Sequence, residues 1–368
     1  MEASRRVSLG RIIAQGLGPA TAARSPLDAV ENLAALQGQQ ASAIPWAIGV
    51  RCAGVSRARV EESFARGELV RSWPMRGTVH VTSARDHHWL RRLLRHRRAS
   101  WERQALALGL TAALVERAAQ VACDLLETSP LGVSRAELVE AWGSSGIDTV
   151  TASSSQDGLR RRHLIMRLHV DGVLTAGPVR SGEHLIVDAR SLPAAPGVAK
   201  GEPGHEEALA VLAARYAWGH GPVDEADLAR WTGLTLTEAR RAMAGARVAG
   251  NSIGPPIAEF EGGLARADLA ALVEAFSDEA EAMLALPSFD ELHVGYKDRS
   301  CLTDEAGEAL ICPAKNGMFR PIAVAGGRVV AVRAPGSRVV TADGCGTYEE
   351  SARRAFGDWE KWLSETQQ

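Results

Sequence analysis

The stretch Glu68-Leu69-Val70-Arg71-Ser72-Trp73-Pro74-Met75-Arg76-Gly77-Thr78-Val79-His80-Val81-Thr82 carries the first decision about the fold. Its last segment, residues 78–82, alternates apolar and polar side chains, the period of a half-buried strand. Arg76-Gly77 supplies a two-residue turn, so the stretch reads as a β-hairpin. Just before it, a short helix follows Ser56, sets Val60 and Phe64 on one face and stops at Gly67. A helix running directly into a hairpin is how a winged helix ends.

The same order recurs along the chain. Ser134-Arg135-Ala136-Glu137 is a capping box opening a helix through Leu138 and Trp142. A second helix carries Leu159, Met166 and Val170; then come residues 172–176, a turn containing Gly and Pro, and residues 184–188. A linker rich in Pro and Gly, residues 193–204, leads to three short helices over about 206–218, 224–231 and 235–243, with Asp224 and Thr235 as N-caps. No hairpin is evident after them. From residue 286 the character changes. Gly326-Gly327 sits between two apolar runs and marks a hairpin, another is expected to join 309–312 to 318–320 across 313–317, and an amphipathic helix over about 348–363 closes the chain. The expected fold is α+β, with three tandem winged-helix units at 1–130, 131–195 and 205–285 and a β-rich domain with its terminal helix at 286–368.

A chain of 368 residues can bury two or three cores. No apolar run reaches the ~18–20 residues that span a membrane, and the run near the start is too short for a secretion signal, so a cytoplasmic location is expected. Five scattered cysteines without Cys-x-x-Cys spacing argue against a disulfide framework or a zinc site. Walker, dinucleotide-binding, His-Glu-x-x-His and nucleophile-elbow motifs are absent. No metal and no cofactor is expected.

Charge is near balance overall but segregated along the chain. Residues 1–190 carry 25 Arg and no Lys against 18 acids; residues 191–368 carry 17 Lys and Arg against 26 acids. The surplus points to a polyanion partner for the first half. Arg85, Arg91, Arg92, Arg95, Arg97 and Arg98 form one cationic cluster around His87-His88. It either meets phosphate or is neutralised by acids of the second half. Arg160, Arg161 and Arg162, on the second helix of the second unit, favour DNA. His87 and His88 lack a third ligand at metal spacing and read as a solvated or phosphate-facing stripe.

In Leu36-Gln37-Gly38-Gln39-Gln40 the periodicity breaks. Ser25 caps and Pro26 starts a helix over about residues 26–36, with Leu27, Val30, Leu33 and Ala34 as its apolar stripe. Continued at 100° per residue, that stripe puts Gln37 where a hydrophobe belongs, and a buried amide costs roughly 1–3 kcal/mol unless bonded. Gln37 therefore either ends the helix, with Gly38 as its left-handed stop, or points into a polar site. An extended step after the helix would bring Gln37 and Gln39 to one side.

Three stretches together resemble one family, the AlkZ/YcaQ-like winged-helix DNA glycosylases: Leu36-Gln37-Gly38-Gln39, then residues 71–80, then Leu286-Pro287-Ser288-Phe289-Asp290 with Tyr296-Lys297-Asp298-Arg299. They lie in the family's order, and the likeness is to its Gln-x-Gln branch, which includes the self-resistance glycosylase of azinomycin producers. The resemblance implies tandem winged helices lining a basic concave surface, Gln37 and Gln39 as catalytic residues, and a hairpin entering duplex DNA. It also implies excision of N7-alkylguanine and unhooking of interstrand cross-links. Gly38 departs from the small or aliphatic residue usual between the glutamines. The expected DNA contacts are Arg71, Arg76, Arg160, Arg161 and Lys315, the last at a polar, cationic turn, and a monomer is expected.

Neutral amides suit that substrate. They are neither strong bases nor acids at neutral pH, but N7-alkylguanine is already cationic and leaves without being protonated. Holding a water and stabilising an oxocarbenium-like sugar are tasks for amide dipoles. Lys200, Lys297, Lys315 and Lys361 all lie far from the motif in sequence, which argues against an amine nucleophile and for simple hydrolysis. The site is expected to be shallow and solvent-open. A non-enzymatic winged-helix regulator shares the fold and charge and would use the glutamines as a helix cap.

Overall fold

The computed structural model describes residues 3–94, 99–147, 154–193, 198–250 and 256–365. The chain forms two compact units, one of Met1–Val60 with Glu206–Gln368, the other of Glu61–His205.

In the second of these, Leu69–Met75 and Thr78–Ser83 pair antiparallel, with Arg71 opposite Val81. The turn residues Arg76 and Gly77 both take positive φ, 54° and 70°. A two-residue turn of this hand matches the twist of the flanking strands, which is why Gly stands at its second position. Leu174–Arg180 and Glu183–Asp188 form the next hairpin, and Arg71↔Ala176 joins the two edge to edge. Its turn is Ser181-Gly182, again with positive φ, later than the Gly- and Pro-containing segment suggested. Pro178 lies inside the strand at the register shift between Ala176 and Val179, where a residue without an N–H leaves no ladder bond unmade.

Helices Ala112–Thr128, Arg135–Ser144 and Ser154–Asp171 supply this unit's core, with Trp142 buried and donating from Nε1 to the Ala118 carbonyl at 2.9 Å. The capping box forms as read: Glu137 N–H donates to Ser134 Oγ, and the Glu137 carboxylate accepts from Ser134 N–H. Of the residues read onto the last of these helices, Met166 and Val170 are buried and Leu159 is 41% exposed.

In the other unit, helix Ala3–Ala14 packs on helix Leu269–Ala280 over a core of Leu9, Ile12, Ile13, Val273, Leu286 and Val332. Helices His205–His220, Glu225–Thr232 and Leu236–Gly250 are followed by a hairpin the sequence did not disclose, Ile257–Phe260 with Gly263–Arg266. Its turn, Glu261-Gly262, has the same positive-φ pair. An antiparallel sheet of Leu284–Leu286, Ile322–Ala325, Arg328–Ala334 and Arg338–Thr341 follows. Helix Glu349–Ser364 covers it with Ala352, Phe356 and Trp359. The hairpin expected across 313–317 is absent: Glu305–Ile311 is a helix capped by Asp304, whose carboxylate accepts from Gly307 N–H at 2.8 Å. Short apolar runs such as 309–312 fit strand and helix alike, and the cap decides. The architecture is α+β. No helix among the described residues is long and apolar enough to cross a membrane.

Candidate active site

Ser25 caps helix Pro26–Asn32, its Oγ accepting from Asp28 N–H at 3.1 Å. The helix stops four residues before the sequence suggests. Ala34 takes φ 61° and turns the chain, and Gly38 is not the left-handed stop. Ala34, Ala35 and Leu36 are buried, and Leu36–Gln37 is extended. Gln37 therefore does not end the helix, and Gln37 and Gln39 are both half-buried on the segment that follows it. Helix His205–His220 approaches so closely that a Cβ on Gly219 would lie 2.0 Å from the Asn32 carbonyl oxygen.

Gln37 is held from below by its backbone. Its N–H donates to Glu291 Oε2 at 2.9 Å. The other oxygen, Oε1, accepts from Trp231 Nε1 at 2.7 Å and lies 3.2 Å from His220 Nε2. The Gln37 side-chain oxygen Oε1 is buried and has no hydrogen-bond partner among the described residues. A buried carbonyl costs roughly 1–3 kcal/mol when nothing bonds it, so this oxygen favours a donor brought to the site.

A wider polar network lies around Glu291. Arg51 grips Asp290 with two bonds of 2.8 and 2.9 Å and donates to Gln15 Oε1 at 2.7 Å. Gln15 Nε2 donates to Tyr296 Oη, which donates to the His220 carbonyl at 2.9 Å. Arg11 pairs with Asp227 at 3.1 Å and lies over the Tyr296 ring. Burial works against the Arg51 charge, but Asp290, with Glu291 and Tyr296, outweighs it and raises the guanidinium pKa. Burial pushes the Tyr296 hydroxyl well up, and it pushes Asp227 up in spite of Arg11. Arg51 and Tyr296 therefore keep their protons and serve as fixed donors.

Residues 30–357 match the model of the family described as DNA glycosylase AlkZ-like. The chain belongs to that family. It is also similar to Streptomyces sahachiroi DNA glycosylase AlkZ, with TM-score 0.67 and 22% identity over 96% of each chain, a likeness that establishes the shared fold. No curated protein matches the chain.

The remaining expected residues of this AlkZ-like chain lie as follows. Arg71, mid-strand and half-buried, is lowered to about 10 by burial. Arg76 forms the first hairpin turn, 3.5 Å from His80 Nε2. Arg160 donates to the Leu108 carbonyl at 2.7 Å, while Arg161 is half-buried and Arg162 exposed. Lys315 is exposed on a turn, with φ 50°. In the cationic cluster, Arg91 donates to the Val170 carbonyl and Arg92 pairs with Glu202 at 2.6 Å; Arg85 is exposed. Arg95, Arg97 and Arg98 lie outside the described residues. The histidines are not a solvated stripe: His87 is buried, and His88 bonds the Ala189 carbonyl. No cluster of metal-ligating side chains occurs among the described residues.

The sequence reading missed Glu291, Trp231, His220 and Arg51. The available signal was a run of acids and histidine, Asp290-Glu291-Leu292-His293, next to a stretch as apolar as Leu284-Ala285-Leu286, where charge is costly unless paired.

Proposed function

We propose that this member of the AlkZ-like DNA glycosylase family is a monofunctional hydrolase of the N-glycosidic bond of cationic N7-alkylguanine in duplex DNA. The observation that carries the reading is Gln37: its backbone is anchored to a buried carboxylate, and its side-chain oxygen is buried without a partner among the described residues. Such an oxygen is ready to accept from a water or to face a developing positive charge. In the reaction, the C1′–N9 bond breaks and its electron pair passes to the purine, cancelling the N7 charge. Water, oriented by Gln37 and Gln39, adds to C1′ and gives its proton to solvent. No base need be protonated, so neutral amides suffice.

On this reading the helix and hairpin runs ending at Thr78–Ser83, Glu183–Asp188 and Gly263–Arg266 are three winged helices. Arg71, Arg76, Arg160 and Arg161 contact duplex DNA, and Lys315 enters it from its turn. Cross-linked guanines count among the substrates, as self-resistance to an alkylating natural product requires, and the protein acts as a monomer.

The test is release of free base from duplex containing N7-methylguanine. Gln37→Ala and Gln39→Ala are each expected to lower kcat at least a hundredfold. Unchanged release in both would overturn the site, and no release by the unaltered protein from any alkylated duplex would overturn the function.

A further inference from the structure

We infer that Glu291 is a positioning residue for the reaction, setting where the Gln37 amide stands by holding the Gln37 backbone N–H. The inference rests on the reading of Gln37 as an active-site amide. The strand Leu36–Gln37 is only two residues long, and the left-handed Ala34 shortly before it gives no helical continuation. What ties it down from within the same unit is a carboxylate 254 positions away in sequence, itself only 1% exposed.

The geometry makes the choice of residue specific. Glu291 faces two fixed N–H donors, Gln37 N–H on one oxygen and Trp231 Nε1–H on the other, with His220 Nε2 also on the second. Only a group with an acceptor at both ends serves both donors. A glutamine has one acceptor and one donor end. In Glu291→Gln, whichever way the amide turns, its NH2 faces either Gln37 N–H or Trp231 N–H. Removing the Trp231 donor with Trp231→Phe resolves the conflict. The Gln oxygen can then take Gln37 N–H, while its NH2 donates to His220 Nε2 in the Nδ1–H tautomer.

The experiment is single-turnover release of N7-methylguanine, with duplex Kd measured alongside, for the unaltered protein, Glu291→Gln, and Glu291→Gln with Trp231→Phe. The expected result is a fall in kcat of tenfold or more for Glu291→Gln, with Kd within threefold, and recovery of most of that loss in the double variant. A merely structural Glu291 would give no recovery, because the double variant removes still more of the core, and that outcome overturns the inference. So does a kcat for Glu291→Gln equal to that of the unaltered protein. Amide hydrogen exchange of the unaltered protein provides a readout that needs neither activity nor a stable variant: Gln37 N–H should be strongly protected, and rapid exchange there overturns the inference. Should the unaltered protein release no base while Gln37 N–H is protected, the anchoring stands and the glycosylase reading falls.

Discussion

At the scale of single residues, the protein concentrates unusual environments in a few side chains. His169 is lowered to about 3 by burial and then by Arg71; His184 is lowered to about 4 by burial and, more weakly, by Arg71, against its bond to the Gly177 carbonyl. In the unfolded chain both take up a proton near pH 6.5. Between about pH 6.5 and 4 the unfolded state therefore holds more protons than the folded one, and stability falls as pH drops through that window. Unfolding free energy is expected to decline steeply there, by up to about 1.4 kcal/mol per pH unit for each histidine, and the melting temperature with it. His184→Gln should flatten the decline; an unchanged slope in scans from pH 7 to 4 would refute the assignment. Arg51 is the opposite case, a buried charge whose two terminal nitrogens are bonded by Asp290, Gln15 and the Ala47 carbonyl. Arg51→Met strands Asp290 and is expected to cost about 3–5 kcal/mol in denaturant titration.

At the scale of elements, one close approach places the motif. Gly219 brings helix His205–His220 against the end of helix Pro26–Asn32, with no room for a methyl group. Gly219→Ala must push Asn32 and the strand after it, and is expected to destabilise by about 1–3 kcal/mol and to lower base release together with stability. A melting temperature and kcat both equal to the parent's would show that the contact is slack. Ser134→Ala removes one half of a capping box that stands far from the motif in sequence. It should cost about 1 kcal/mol in thermal or denaturant unfolding and leave base release per folded molecule as it was.

At the scale of the whole molecule, charge along the chain and charge in space differ. Arg5, Arg6, Arg11 and Arg51 belong to the basic first half, yet each pairs with an acid of the second half. Residues 1–60 fold with residues 206–368, so much of the apparent surplus is neutralised inside one unit. Arg92 does the same with Glu202 in the other. On the proposed function, arginines such as Arg162, exposed, and Arg161, half-buried, are expected to meet phosphate. Duplex affinity should fall with added salt, and Arg161→Gln with Arg162→Gln should reduce the slope of log K against log salt by about 2. An unaltered slope would remove that helix from the DNA surface.

Local chemistry determined much of this protein directly. Ser25, Ser134 and Asp224 cap the helices they precede, and Arg76-Gly77 turns its hairpin because a left-handed pair is the cheap way to reverse two twisted strands. The Gln-x-Gln motif was legible through its likeness to a family, and its break in periodicity marked the place. What tertiary structure alone decided is how that motif is held. Helix Pro26–Asn32 is followed by Ala34, an alanine in a conformation that local preference disfavours, held among buried residues with Gly219 packed against Asn32. The anchor for Gln37 comes from Glu291, whose need for buried donors is invisible until Trp231 and His220 are brought to it. Caps and turns depend on neighbours three or four residues away and can be read along the chain; a buried carboxylate is satisfied only by groups that folding delivers from far along it.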